Sequence, residues 1–122
     1  MNRPLFVAGF FGVTGVAVGA FGAHALGTSV TPERLAVWET AAQYHLIHAV
    51  VLLVLATRTT GAGALERLAV AGFTLGVLLF SFSLYALVLT DVSRFAMITP
   101  VGGLLFMLSW VLLALQAFEG KD

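Results

Sequence analysis

The sequence predicts an all-α membrane protein. It is expected to be four transmembrane helices in an up-down-up-down bundle with short loops, in a single integral membrane domain over residues 1–122. Three observations predict this. Only 10% of the residues are charged and 60% are hydrophobic, with mean hydropathy +1.02. A soluble domain carries about 25% charged residues, so these few could not clothe a water-facing surface. The charges also cut the chain into uncharged windows at residues 4–32, 40–57, 68–90 and 95–118. Each window approaches or exceeds the roughly 20 mostly apolar residues that cross a bilayer. Finally, the connections between windows are short, which forces antiparallel neighbours.

The first helix is expected over residues 4–26, leaving at Gly27. Arg3, the apolar run and the "AHA" of residues 23–25 together resemble a signal peptide with a small-x-small cleavage site. The run is longer than the usual apolar core of about 7–15 residues, so a retained helix is expected. Advancing by about 100° per residue gathers Ala8, Gly12, Gly15, Gly19, Gly22 and Ala23 into one arc. This small-residue spacing lets two helix backbones approach. The partner is either another helix of the same chain, which is the expectation, or a second copy.

The second helix is expected over residues 32–57, with Thr31 as N-cap and Pro32 at the first helical position. Its stretch "ETAAQYHLIHAV" concentrates the polar groups of the chain: Glu39, Gln43, Tyr44, His45 and His48. Measured around the helix from Glu39, Gln43 falls at about 40°, Tyr44 at about 140°, His48 at about 180° and His45 at about 240°. Lipid satisfies none of these groups. Polar side chains on two faces therefore predict protein or water on two faces. The second helix should be the most enclosed of the bundle, or lie at an oligomer contact.

The third helix, expected over residues 65–90, repeats the small-residue device with Gly72 and Gly76. Ser83 and Thr90 lie near that arc, and Thr74, Ser81 and Tyr85 lie opposite. The fourth, over residues 95–118, aligns Thr99, Gly102, Ser109 and Gln116 on one stripe. Such hydroxyls usually bond a neighbouring helix or their own backbone. On orientation, Arg3, Arg58, Arg67 and Lys121 would share one side, against Arg34 and Arg94 on the other. That bias predicts both termini in the cytoplasm.

Several chemistries are excluded. With six basic and six acidic residues and no charge block, there is no nucleic-acid patch. With no cysteine, there is no disulfide, iron–sulfur cluster or thiolate zinc site. No nucleophile elbow or phosphate loop appears. A candidate buried polar cluster remains: His24, Glu39, Gln43, Tyr44, His45, His48, Tyr85 and Arg94. Glu39 is either a headgroup-level carboxylate satisfied by Arg34 or a backbone group, or a buried acid paired with Arg94, Tyr85 or His24. Histidine ligation of a metal or haem is disfavoured by depth. His45 lies roughly 20 Å beyond Pro32 along its helix, whereas His24 is near the end of the first. Hydrogen-bonding histidines are expected instead, with no metal and no cofactor.

Four blocks, "GAFGAHAL", "TAAQYHLIHAV", "SLYALVLT" and "ITPVGGLLFMLSW", resemble, in order and spacing, the signatures of the domain of unknown function 423 family. These are small bacterial inner-membrane proteins with an animal relative. The resemblance implies about four spans, an inner-membrane location and no established activity. The family-like positions it picks out are Gly22, His24, Gln43, Tyr44, His48, Tyr85, Thr99, Pro100, Gly102, Gly103 and Trp110. Phe82 and Asp91 stand where the family tends to have glycine, as does Ser109 before Trp110.

The expected function is therefore that of a non-enzymatic structural or accessory bundle. Its partners would be the lipid bilayer and a second copy or another membrane protein. The alternatives are a small transporter, channel or proton-coupled carrier, and histidine-dependent metal or haem binding.

Overall fold

The computed structural model describes residues 1–58 and 61–119. Lys121, counted above in the charge bias, lies outside them. The fold class is as the composition predicts. Among the described residues, four helices are long and apolar enough to cross a membrane: α1 (Arg3–Leu26), α2 (Pro32–Ala56), α3 (Ala64–Thr90) and α4 (Ser93–Phe118).

Local chemistry sets the helix ends. The Asn2 side chain accepts the Leu5 amide at 3.1 Å, and its own amide donates to the Ala56 carbonyl at 3.0 Å. One residue thus caps α1 and ties its start to the end of α2. Thr31 caps α2 by accepting the Arg34 amide at 3.2 Å, with Pro32 at the first turn. At the end of α3, Asp91 takes φ 58°, the left-handed conformation that glycine favours. That explains why a family-like glycine would suit the position. Asp91 adds a carboxylate there that pairs with Arg34.

The helices pack in series. α1 lies chiefly on α2 and α4 chiefly on α3, while α2 and α3 meet between them. Of the membrane-crossing windows, 39% is buried in both α2 and α3, against 22% in α1 and 17% in α4. The expectation that the second helix is the most enclosed is thereby corrected, since α3 shares the centre with it. One apolar cluster joins Phe11, Leu52, Phe73, Val77 and Phe106, and a second joins Leu26, Trp38, Ala41, Tyr85 and Val88.

Small residues act within the chain, at particular contacts. A Cβ on Gly15 would meet Leu46 at 2.5 Å, and one on Gly22 would meet Trp38 at 2.5 Å. Gly72 leaves room for Ser109, and Gly76 for the Phe106 ring. Gly102 is the strictest, because its Cβ would strike the backbone of Leu79 and Phe80. That backbone belongs to a π turn, Val77–Ser81, which widens α3 where α4 presses on it. Gly12 and Gly19 meet nothing, and Gly103 makes only ordinary contact with Phe80. The first-helix seam is therefore split: Gly15 and Gly22 pack on α2, and Gly12 and Gly19 stay open.

Gly102→Ala is expected to destabilise the bundle by about 1–3 kcal/mol, because backbone cannot yield as a side-chain tip can. Gly103→Ala should be neutral or mildly stabilising, since helix-interior glycine costs about 0.5–1 kcal/mol relative to alanine. Thermal unfolding of both variants in detergent checks the contrast.

Candidate functional site

The polar stretch of α2 divides into separate sites. On the face toward α1 and α3, His45 has no exposed surface. Its Nε2 lies 3.0 Å from the Thr14 hydroxyl, and its Nδ1 lies 2.9 Å from the Tyr85 hydroxyl. Thr14 commits its one proton to the Phe10 carbonyl at 2.9 Å. With the Thr14 proton assigned to that carbonyl, its oxygen is the acceptor and the hydrogen of His45 is assigned to Nε2. Tyr85 then donates to the bare Nδ1. Phe11 and Phe82 close the ring in edge-on and tilted contacts, with centroids 5.6 and 5.3 Å away. Phe82, where the family tends to have glycine, thus fills the space beside His45.

On the face toward α3 and α4, His48 has the opposite arrangement. Its Nδ1 lies 2.7 Å from the Tyr44 carbonyl, which can only accept. Its Nε2 lies 3.2 Å from Trp110 Nε1, an indole that can only donate. Hence Nδ1 carries the hydrogen and Nε2 accepts. The ring stacks on Phe106 at 3.8 Å and 9°. Both histidines have each ring nitrogen engaged inside the protein.

Two further bonds clamp α2 to its neighbours. Buried Ser81, at the end of the π turn, donates to the Ala41 carbonyl at 2.8 Å. Trp38 donates to the Val18 carbonyl at 2.7 Å, its ring fitting over Gly22 at the start of a second π turn, Gly22–Leu26.

The expected cluster of eight is not one site. His45, His48 and Tyr85 are buried, and Tyr44 is 41% exposed, its ring against Phe80, Phe106 and His48. His24, Glu39, Gln43 and Arg94 are exposed. Glu39 lacks its expected partners for definite reasons. Arg34 is drawn to Asp91 and the Leu87 carbonyl, and Tyr85 is committed to His45. Arg94 lies exposed in the 3-10 turn that opens α4. Protein or water was expected on both polar faces of α2, within the bundle or at an oligomer contact. Within the chain the histidine face is covered, whereas the face of Glu39 and Gln43 is exposed.

A metal-type site finds little purchase in these residues. The free lone pairs of His45 and His48 are taken by Tyr85 and Trp110, and His24 stands apart. No group of three or more metal-type ligands occurs among the described residues.

Some residues escaped the sequence reading. Glu66 is buried and pairs with Arg58 at 3.2 Å. Its signal was its period with Ala69, Phe73 and Gly76, all buried on the same face of α3. Thr14 had no signal beyond being a hydroxyl beside the glycine arc. Beside His48, Tyr44, Phe80, Met107 and Trp110 line an apolar groove of about 460 Å³ that opens on the flank of the bundle.

Thr14→Val and Tyr85→Phe each leave one nitrogen of His45 unpaired. Each should lower unfolding free energy by about 1 kcal/mol, the scale of interhelical bonds in membrane proteins. The double variant should fall short of the sum, because both changes act through one ring. Chemical unfolding in micelles measures the cycle.

Comparison with known proteins places this architecture. The profile described as "Protein of unknown function (DUF423)" matches residues 18–103. The UPF0382 membrane protein YwdK of Bacillus subtilis is 39% identical over 106 residues, covering 85% of this chain and 86% of the relative. A UPF0382 membrane protein of Haemophilus influenzae is 34% identical over 121 residues, 99% of this chain and 98% of its own. The UPF0382 membrane protein SAB0533 of Staphylococcus aureus is 38% identical over 106 residues, 85% of each chain. No solved structure matches. The signature blocks, the four apolar helices and these relatives agree: the chain is a multi-pass membrane protein and belongs to the DUF423 family.

Proposed function

We propose that the chain is a non-enzymatic structural or accessory protein of the bacterial inner membrane, and that it self-associates through the outer face shared by α1 and α2. The observation that carries this reading is Gln43. It lies roughly 16 Å along α2 from Pro32, near mid-helix, where a bilayer offers no hydrogen bond. Its side chain is exposed and has no partner among the described residues. Glu39, one turn earlier, is in the same position. By helical angle Glu39 falls in line with Leu46 and Val50, which line a groove of about 260 Å³ with Gly12 and Val16 of α1. Gly12 and Gly19, with nothing against them, let a second backbone come close. A two-fold pair would set Gln43 of one copy against Gln43 of the next, so that each amide is both donor and acceptor.

The buried histidines support the non-enzymatic part. Both of their ring nitrogens are bonded within the protein and the rings pack among aromatic side chains, which supports a role as fastenings. A transport role would require a hydrated path to them, and His45 has no exposed surface.

Gln43→Leu and Gly19→Leu should each convert a dimer in mild detergent to a monomer while leaving the thermal midpoint of the fold nearly unchanged. Gly15→Leu should instead unfold the chain, since Gly15 faces Leu46. Light scattering coupled to gel filtration reads the mass. A wild-type monomer at all concentrations, or unaltered dimers in both variants, would refute the interface.

Both termini are proposed to face the cytoplasm, on the arginine bias given above. The chain has no cysteine, so single probes report cleanly. An impermeant maleimide applied to whole cells should label Thr28→Cys and spare Ala62→Cys; the reverse pattern would invert the topology.

A further inference from the structure

At the end of the bundle where α1 begins, α2 ends and α3 begins, a groove of about 570 Å³ runs between the three helices. Its lining combines three guanidiniums, Arg3, Arg58 and Arg67, with one carboxylate, Glu66, and an apolar floor that includes Leu55 and Val70. The carboxylate is already used, because Glu66 is buried and holds Arg58 at 3.2 Å. Arg58 also reaches the Gln116 side chain at 3.4 Å. Arg67 donates to the Ala62 carbonyl at 2.8 Å, which leaves most of its N–H groups free. Arg3 has no acceptor among the described residues. The groove thus holds two arginines in surplus over its own anion.

We infer that this groove binds the phosphate of an anionic phospholipid, with Arg3 and Arg67 clasping the headgroup and the apolar floor receiving the start of an acyl chain. Guanidinium forks match phosphate oxygens in geometry and charge. Position fits as well, since the arginines stand at helix ends, the level of the headgroups, while Leu55 and Val70 lie inside the spans. The mixture of cationic rim and apolar floor selects an amphiphile over a free anion. The electrostatics of the two ends agree. Among the described residues this end carries Arg3, Arg58 and Arg67 against Glu66 and Glu119, a surplus of positive charge, whereas the other carries Arg34 and Arg94 against Glu33 and Asp91, which balance. Anionic lipid is drawn to the first end more than to the second. The site is independent of the α1–α2 face proposed for self-association.

The test uses the full chain in mild detergent, with phosphatidylglycerol and phosphatidylcholine of matched acyl chains titrated by native mass spectrometry. Phosphatidylglycerol should bind once per chain and in preference to phosphatidylcholine. Its binding should weaken with added salt. Arg3→Gln breaks no internal hydrogen bond among the described residues. It should weaken phosphatidylglycerol roughly fivefold, and Arg3→Gln with Arg67→Gln roughly thirtyfold, at about one surface-charge contribution each. The corresponding double lysine variant should retain most of the binding, which separates lost charge from lost fold. Equal binding of the two lipids, or unchanged phosphatidylglycerol binding in both glutamine variants, would overturn the assignment. So would displacement of the lipid by millimolar inorganic phosphate, which would assign the groove to a free anion.

Discussion

Inside a bilayer a polar side chain has no solvent to fall back on, so whatever helix carries it must bring a partner within reach. In this chain that constraint falls on α2. Its two imidazoles point to different sides, and each draws a different neighbour into contact. His45 requires a hydroxyl from α1 and another from α3, and His48 requires an indole from α4. Satisfying them fixes which helices stand on which side of α2. The aromatic rings, the glycines and the π turns follow from that arrangement. Gly15 lets α1 close on His45 and Leu46. The widened turn of α3 carries Ser81 to the Ala41 carbonyl, and Gly102 lets α4 approach that turn. The bundle is thus specified by directional bonds, where apolar packing alone would tolerate several arrangements.

The same constraint gives meaning to the groups left over. Glu39 and Gln43 lie on the turn beside the histidines and have no such partner among the described residues. Buried and exposed polar groups on one helix divide its surface into a face that builds the monomer and the face for which we propose assembly. Gly15 and Gly22 belong to the first, Gly12 and Gly19 to the second. At the arginine-rich end of the bundle the rule differs, because headgroups and water are available there. The proposed lipid site draws on the surplus charge at that level.

Much of this was legible in the sequence. Charge spacing marked out the four apolar spans, and Thr31 with Pro32 marked the start of α2. The helical angles of Glu39, Gln43, His45 and His48 showed that no single site could hold them all. What sequence could not supply was partnership. A helical wheel gives a direction but not the neighbour found there, so Arg34 was offered to Glu39 when its partner is Asp91. Glu66 was not singled out, although its period with Ala69 and Phe73 marks it as inward-facing. Thr14 is one hydroxyl among many until α2 is placed against it. The glycine arc of α1 was visible, but its division between two uses depends on side-chain depth, which a wheel does not contain.

The claim that His45 and His48 are neutral fastenings in opposite tautomers is open to direct measurement. Two-bond proton–nitrogen correlation spectra of the chain labelled with nitrogen-15 histidine, in micelles at neutral pH, report which ring nitrogen carries the hydrogen. The account predicts a hydrogen on Nε2 of His45 and on Nδ1 of His48. Tyr85→Phe should shift the first pattern only, and Trp110→Phe the second only. A common tautomer for both rings, or an imidazolium at either, would contradict it.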